Sequence, residues 1–100
     1  MIVVYSKSFQ KTVDKLSGKK FDAIVNVIIE VKNAESIEEI NDCKKLAGFN
    51  NVYRIRIGVY RAFFTFHIYI EGHTVKFEYL VLRGQAYSKK IISVLRKKDL

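Results

Sequence analysis

Residues 52–62 read Val-Tyr-Arg-Ile-Arg-Ile-Gly-Val-Tyr-Arg-Ala, and this alternation constrains the fold more than any other stretch of the chain. Successive side chains of an extended strand point to opposite faces. Tyr53, Ile55 and Ile57 therefore share one face, and Arg54 and Arg56 share the other. Gly58-Val59 predicts a two-residue hairpin turn, with glycine at the first central position as a type II′ turn prefers. The resulting pairs are Ile57 with Tyr60, Arg56 with Arg61, and Ile55 with Ala62. Like charges directly opposed across two strands destabilise a sheet. One solvated arginine on an open sheet face is ordinary. Arg54, Arg56 and Arg61 on one face of one tight hairpin point instead to an anion site.

The rest of the chain supports that expectation through its charge. Residues 1–51 hold 8 Lys against 7 Asp/Glu, whereas residues 52–98 hold 10 Lys/Arg against Glu71 and Glu78 alone. A surplus confined to the half that carries the arginine hairpin implies a nucleic acid or an acidic protein as partner. With 100 residues, 49% of them hydrophobic, the chain suffices for one domain with one core (residues 1–100) and is too short for two. No apolar run reaches the ~20 residues that span a bilayer, and no basic-then-apolar signal pattern opens the sequence. The single cysteine, Cys43, excludes an internal disulfide and fits a reducing cytoplasm. His67 and His73 lack metal-ligand spacing, so no metal or other cofactor is expected.

In chain order, residues 1–5 are an apolar β-branched run, expected as a buried strand. Ser6 is placed to cap a helix whose apolar stripe is Phe9, Val13 and Leu16, and Gly18 to end it. A second helix from about Lys20 carries Phe21, Ile24, Val25, Ile28, Ile29 and Val31, a wide apolar face expected to be well buried. Residues 34–42 are polar and predict a loop with at most one helical turn; a short segment with Leu46 as its core contact leads into the hairpin. Strand 60–70, a turn at Glu71-Gly72 and strand 73–83 come next. That register puts Thr65 opposite Glu78 and His67 opposite Lys76. It sets Phe64, Phe66, Val75, Phe77, Tyr79 and Val81 on the helix-covered face, and Phe63, Leu80 and Leu82 on the other, where they call for a partner or a covering C-terminal segment. Residues 87–98 predict a last helix with Ile91, Ile92, Val94 and Leu95 on its apolar side and a basic end. The fold class is α+β: a small antiparallel sheet with an αα-hairpin on one face, a cationic patch on the other, and a C-terminal helix.

Lys45-Leu46-x-Gly48, then Tyr53-Arg-Ile-Arg-Ile-Gly58-x-Tyr60-Arg61, then a hairpin whose second strand ends near Val81-Leu82, resembles the RelE/ParE superfamily of toxins from type II toxin–antitoxin systems. The resemblance covers the whole chain in element order. RelE-like members cut mRNA in the ribosomal A site; ParE-like members share the fold and poison DNA gyrase. The resemblance implies that Arg54, Arg56 and Arg61 hold and polarise a scissile phosphate, with Lys76 extending the RNA contact. RelE-like toxins often carry a His-Arg-x-x-x-Tyr-like stretch after the last strand, and this chain reads Val81-Leu-Arg-Gly-Gln-Ala-Tyr87. With one residue missing at the histidine, Arg83 and Tyr87 fall on the catalytic arginine and tyrosine; with no gap, the arginine position is lost. Simple strand alternation puts Arg83 on the core side, so a bulge or strand end near Leu82 is needed to turn it outward. Val59 also departs from the family, where many relatives are acidic.

Such an enzyme deprotonates a ribose 2′-OH, stabilises a pentacoordinate phosphorane and protonates the 5′-oxygen. Guanidinium forks suit the second task without a metal. Tyr87 is the expected proton-transfer group ahead of His67 and His73. The implied partners are a cognate antitoxin, the ribosome and mRNA, and operator DNA only as a toxin–antitoxin complex; no membrane is implied. Two alternatives remain open: a gyrase poison, and a degenerate toxin that only binds its antitoxin.

Overall fold

The computed structural model describes residues 1–99. In chain order the elements are β1 (Ile2–Tyr5), α1 (Lys7–Asp14), α2 (Gly18–Asn33), a 3-10 turn (Ile37–Glu39), β2 (Cys43–Lys45), β3 (Val52–Ile57), β4 (Tyr60–Tyr69), β5 (Gly72–Leu82), a second 3-10 turn (Arg83–Gln85) and α3 (Lys89–Lys98). One sheet runs β1-β5-β4-β3-β2. It is antiparallel from β2 to β5, and β1 adds parallel to β5 at the edge. Among the described residues no helix is long and apolar enough to cross a membrane.

Ser6 caps α1 by accepting a hydrogen bond from the Phe9 backbone N–H at 3.0 Å, while its own hydroxyl donates to the Glu78 carbonyl at 2.6 Å. One serine thus ends β1, starts α1 and anchors both to β5. Gly18 does not close α1, as its position suggested. α1 ends at Asp14, and Gly18, with φ +60°, opens α2. α2 is also less buried than its apolar face predicts: Ile24 and Val31 are fully covered, but Phe21 and Ile29 remain exposed. Its apolar residues span more of the helix than one sheet face can cover.

The sheet has a core on each face. The first joins Phe9, Ile24 and Val31 from the helices to Ile55, Ile57, Ala62, Phe64, Val75, Phe77 and Leu80. The second joins Leu46, Phe49, Val52 and Phe63 to Ala86 and Leu95, with Tyr79, Val81, Ile91 and Ile92 around them. α3 therefore covers Phe63, as its apolar character required. Ser88 caps α3 through Ile91 N–H, and the Asp99 carboxylate beyond its end accepts from Asn50 and Asn51 N–H at 2.8 and 2.7 Å.

The β4–β5 register corrects the expected one. The turn is Ile70-Glu71, so Tyr69 pairs with Gly72, His67 with Thr74, and Thr65 with Lys76 rather than with Glu78. A bulge comes next: Phe64 pairs with Phe77 but Phe63 pairs with Tyr79, leaving Glu78 without a partner on β4. An extra residue reverses which side chains face which way. Leu80, expected on the second face, lies in the first core, and Tyr79 and Val81 lie against the second.

Candidate functional site

The arginine hairpin forms as the alternation predicts. Gly58 has φ +58° at the first turn position, a left-handed conformation that glycine enters without strain. Arg56 pairs with Arg61 and Arg54 with Phe63, so all three arginines share the α3 side of the sheet. Arg61 curls back over the turn, where its Nη1 donates to the carbonyls of Gly58 at 2.9 Å and Tyr60 at 2.8 Å. These bonds fix the guanidinium at the hairpin tip and leave its remaining N–H groups available.

The Glu78 bulge brings in the next cation. Past the reversed strand, the Arg83 backbone N–H donates to the Val59 carbonyl at 2.7 Å, which ties the end of β5 to the hairpin turn. The outward turn that Arg83 required is thus made five residues upstream of it. Burial, and then the guanidiniums of Arg56, Arg54 and Arg83, push the Arg61 guanidinium below its ordinary value, while Tyr87 acts in the opposite sense. Arg61 nonetheless stays protonated. Like charges this close repel, and a bound anion removes that repulsion.

Tyr87 sits beyond the second 3-10 turn with its ring edge-on to Phe63, centroids 6.1 Å apart. Phe63 is fully buried, so an exposed tyrosine is held by a rigid support. Between Tyr87 and the sheet is a pocket of about 160 Å³ lined by Lys44, Lys45, Leu46, Ala47, Arg54 and Tyr87. It is smaller than the ~300–1,000 Å³ of pockets that enclose a whole small molecule, and suits a phosphodiester group. Arg54 is 8% exposed and its Nε has no hydrogen-bond partner. A buried donor left without a protein partner is costly and calls for a partner from outside the chain.

The structure thus gathers Arg54, Arg56, Arg61, Arg83 and Tyr87 and leaves out Lys76. Lys76 shares the face but lines a different cleft with His67, Glu78, Lys97 and Lys98. Sequence reasoning missed Lys44 and Lys45. Lys44 is directly opposite Arg54 in the β2–β3 ladder, but a three-residue strand shows no periodicity. The paired lysines before Leu46 were the available signal. Among the described residues, no group of three or more His, Cys, Asp or Glu is placed to hold a metal ion.

No family model matches the sequence. The chain is 33% identical over 88 residues to toxin RelE3 of Methanocaldococcus jannaschii, covering 87% of this chain and 96% of the relative. Among solved structures, it is similar to a RelB–RelE antitoxin–toxin complex from Methanococcus jannaschii, with TM-score 0.67 and 28% identity over 86% of this chain and 96% of that one. A mutant of Escherichia coli toxin RelE in the free state superposes with TM-score 0.68 over 99% of this chain and 97% of that one; at 18% identity that likeness speaks for the fold alone.

Proposed function

This chain belongs to the RelE family of toxins of toxin–antitoxin systems, and on that premise we propose that it is an mRNA endonuclease that acts at the ribosome and is restrained by a cognate antitoxin. The observation that carries the reading is the cluster around the hairpin tip, where Arg54, Arg56, Arg61 and Arg83 surround one another beside Tyr87.

The chemistry comes from that arrangement. The scissile phosphate lies against Arg56 and Arg61, whose guanidiniums meet the charge that builds on the non-bridging oxygens as the phosphorane forms. Arg83 adds to the same field. Arg54, Lys44 and Lys45 hold a neighbouring phosphate in the pocket under Tyr87. The Tyr87 hydroxyl exchanges the proton of the 2′-OH or of the 5′-leaving oxygen. A phenol is a weak base at neutral pH. Much of the rate then comes from holding the 2′-oxygen in line with the phosphate, which a ribosome-bound mRNA supplies. The antitoxin implied by this reading is acidic and partly disordered, folds over the toxin and neutralises the arginines; the pair, not the toxin alone, binds operator DNA.

Purified protein added to ribosomes programmed with a defined mRNA and an empty A site tests the reading. The expected result is a cut within the A-site codon, absent from the same mRNA free in solution. Intact mRNA together with inhibited DNA gyrase supercoiling in a parallel reaction would replace it with the gyrase reading.

A further inference from the structure

The cleft that holds Lys76 is separate from the arginine cluster. It opens on the same sheet face beside the C-terminal end of α3, and five residues of β4 lie between Arg61 and His67, a rise of roughly 20 Å along the strand. Its volume is about 450 Å³, within the range of pockets that enclose a small molecule.

Its floor is a buried carboxylate. Glu78, the bulge residue, is 2% exposed. Its Oε2 accepts from the Thr65 hydroxyl at 2.9 Å, while its Oε1 is buried with no hydrogen-bond partner. Because Thr65 spends its hydrogen on Glu78, the 3.0 Å contact between Thr65 Oγ1 and His67 Nε2 requires Nε2 to carry the proton and donate. The chain His67 to Thr65 to Glu78 thus runs in one direction and ends on a carboxylate oxygen that no group of the protein satisfies. A bulge does not require a charged residue, so the fold alone does not explain this carboxylate.

The walls specify the ligand further. Lys76, Lys97 and Lys98 line the cleft and call for an anion. The His67 ring stacks on Tyr69, centroids 5.7 Å apart and 12° from parallel, a flat aromatic edge of the kind on which nucleobases stack. A phosphate for the lysines, and a base whose ring meets the aromatic pair while its N–H donors meet Glu78, together describe a nucleotide. Among the bases, guanine presents two adjacent donors, N1–H and the 2-amino group, to one carboxylate. Adenine, cytosine and uracil each present a single donor group flanked by at least one acceptor, which a carboxylate repels.

We propose that this cleft is a guanine-nucleotide site, in which a single-stranded RNA base outside the cleavage pocket is read by Glu78. The proposal deepens the ribonuclease reading and rests on it for the RNA source. Binding is nevertheless measurable without cleavage, so the two fail independently.

The test is titration of the isotopically labelled full chain, monitored by NMR, with 5′-GMP, 5′-IMP, 5′-AMP and 5′-UMP, and then with short single-stranded RNAs with and without guanine. The expected result is GMP-induced shifts at Thr65, His67, Tyr69 and Thr74. GMP should bind about tenfold more tightly than AMP, UMP or IMP; IMP lacks only the 2-amino group, so it tests the carboxylate contact with no mutation. Guanine-containing RNA should bind more tightly than GMP, whereas free nucleotide outcompeting RNA would overturn the RNA source. Glu78→Gln, which still accepts from Thr65 but turns the free oxygen into a donor, should abolish the guanine preference. Lys76→Ala should weaken all nucleotides alike. Equal affinities for GMP and IMP, shifts confined to Arg54, Arg61 and Tyr87, or occupancy of the cleft by acidic peptides and not nucleotides would overturn the proposal.

Discussion

Arg56 and Arg61 oppose each other across a two-residue turn, and the cost of that pair separates function from stability. Arg61→Ala should abolish growth arrest on induction and leave the protein folded. Removing one of two opposed like charges should raise stability, if anything, by about 0.2–1 kcal/mol, as chemical denaturation would show. Tyr87→Phe removes one hydroxyl and keeps the ring on Phe63, so the fold and antitoxin binding should persist while the cleavage rate drops ~100-fold or more. Undiminished cutting by that variant would remove Tyr87 from the chemistry. Cys43 gives a prediction in pH. Burial first, and then Glu30 against the opposing Arg54, hold its thiol up at about 11 rather than 9.0. The folded state therefore favours the neutral thiol. Its contribution to stability is fully present below pH 9.0 and is lost as pH rises through about 11. Thermal melts should show that alkaline loss, and Cys43→Ala should flatten it. The three hairpin arginines were legible because strand alternation fixes their face. Lys44 was not, because its strand has three residues and owes its existence to pairing with β3.

At the scale of elements, the decisive feature is the extra residue in β5. The β3–β4 pairing was legible to the residue, since Gly58-Val59 admits one tight turn. The β4–β5 pairing was not. Ile70-Glu71 and Glu71-Gly72 are comparable turn candidates, and Tyr79-Leu80-Val81-Leu82 is apolar throughout, so either face accepts either set. The two-sided burial that resolves the choice exists only once α3 covers the second face. Inserting one alanine between Tyr79 and Leu80, where the strand alternates regularly past the bulge, should therefore be far worse than substituting Glu78. The insertion sends Leu80 to the face of α3 and Val81 to that of α1, and it turns Arg83 away from Arg61. The expected outcome is loss of a cooperative melt and of native NMR dispersion, whereas Glu78→Gln keeps both. A folded insertion variant with native dispersion would show that alternation past the bulge does not decide which faces Leu80 and Val81 occupy.

For the whole molecule, the unequal charge of the two halves becomes an arrangement in space. The near-neutral first half supplies β1 and the helices α1 and α2, which bury one side of the sheet. The basic second half supplies the arginine hairpin and α3 on the other. The α+β class, the element order and the site face were legible because they derive from hydrophobic periodicity; the edge position of β1, parallel to β5, needed a long-range partner that no local pattern names. The ribonuclease reading stands or falls on whether the arginines gathered at the hairpin tip cut mRNA on the ribosome. Mapping of mRNA 5′ ends in cells after brief induction decides it, with wild type and Arg61→Ala compared at equal protein levels. New ends inside translated codons, in frame with the ribosomal A site, are expected in the wild type and none in the variant. Growth arrest by the wild type without new ends, or equal cutting by Arg61→Ala, would contradict it.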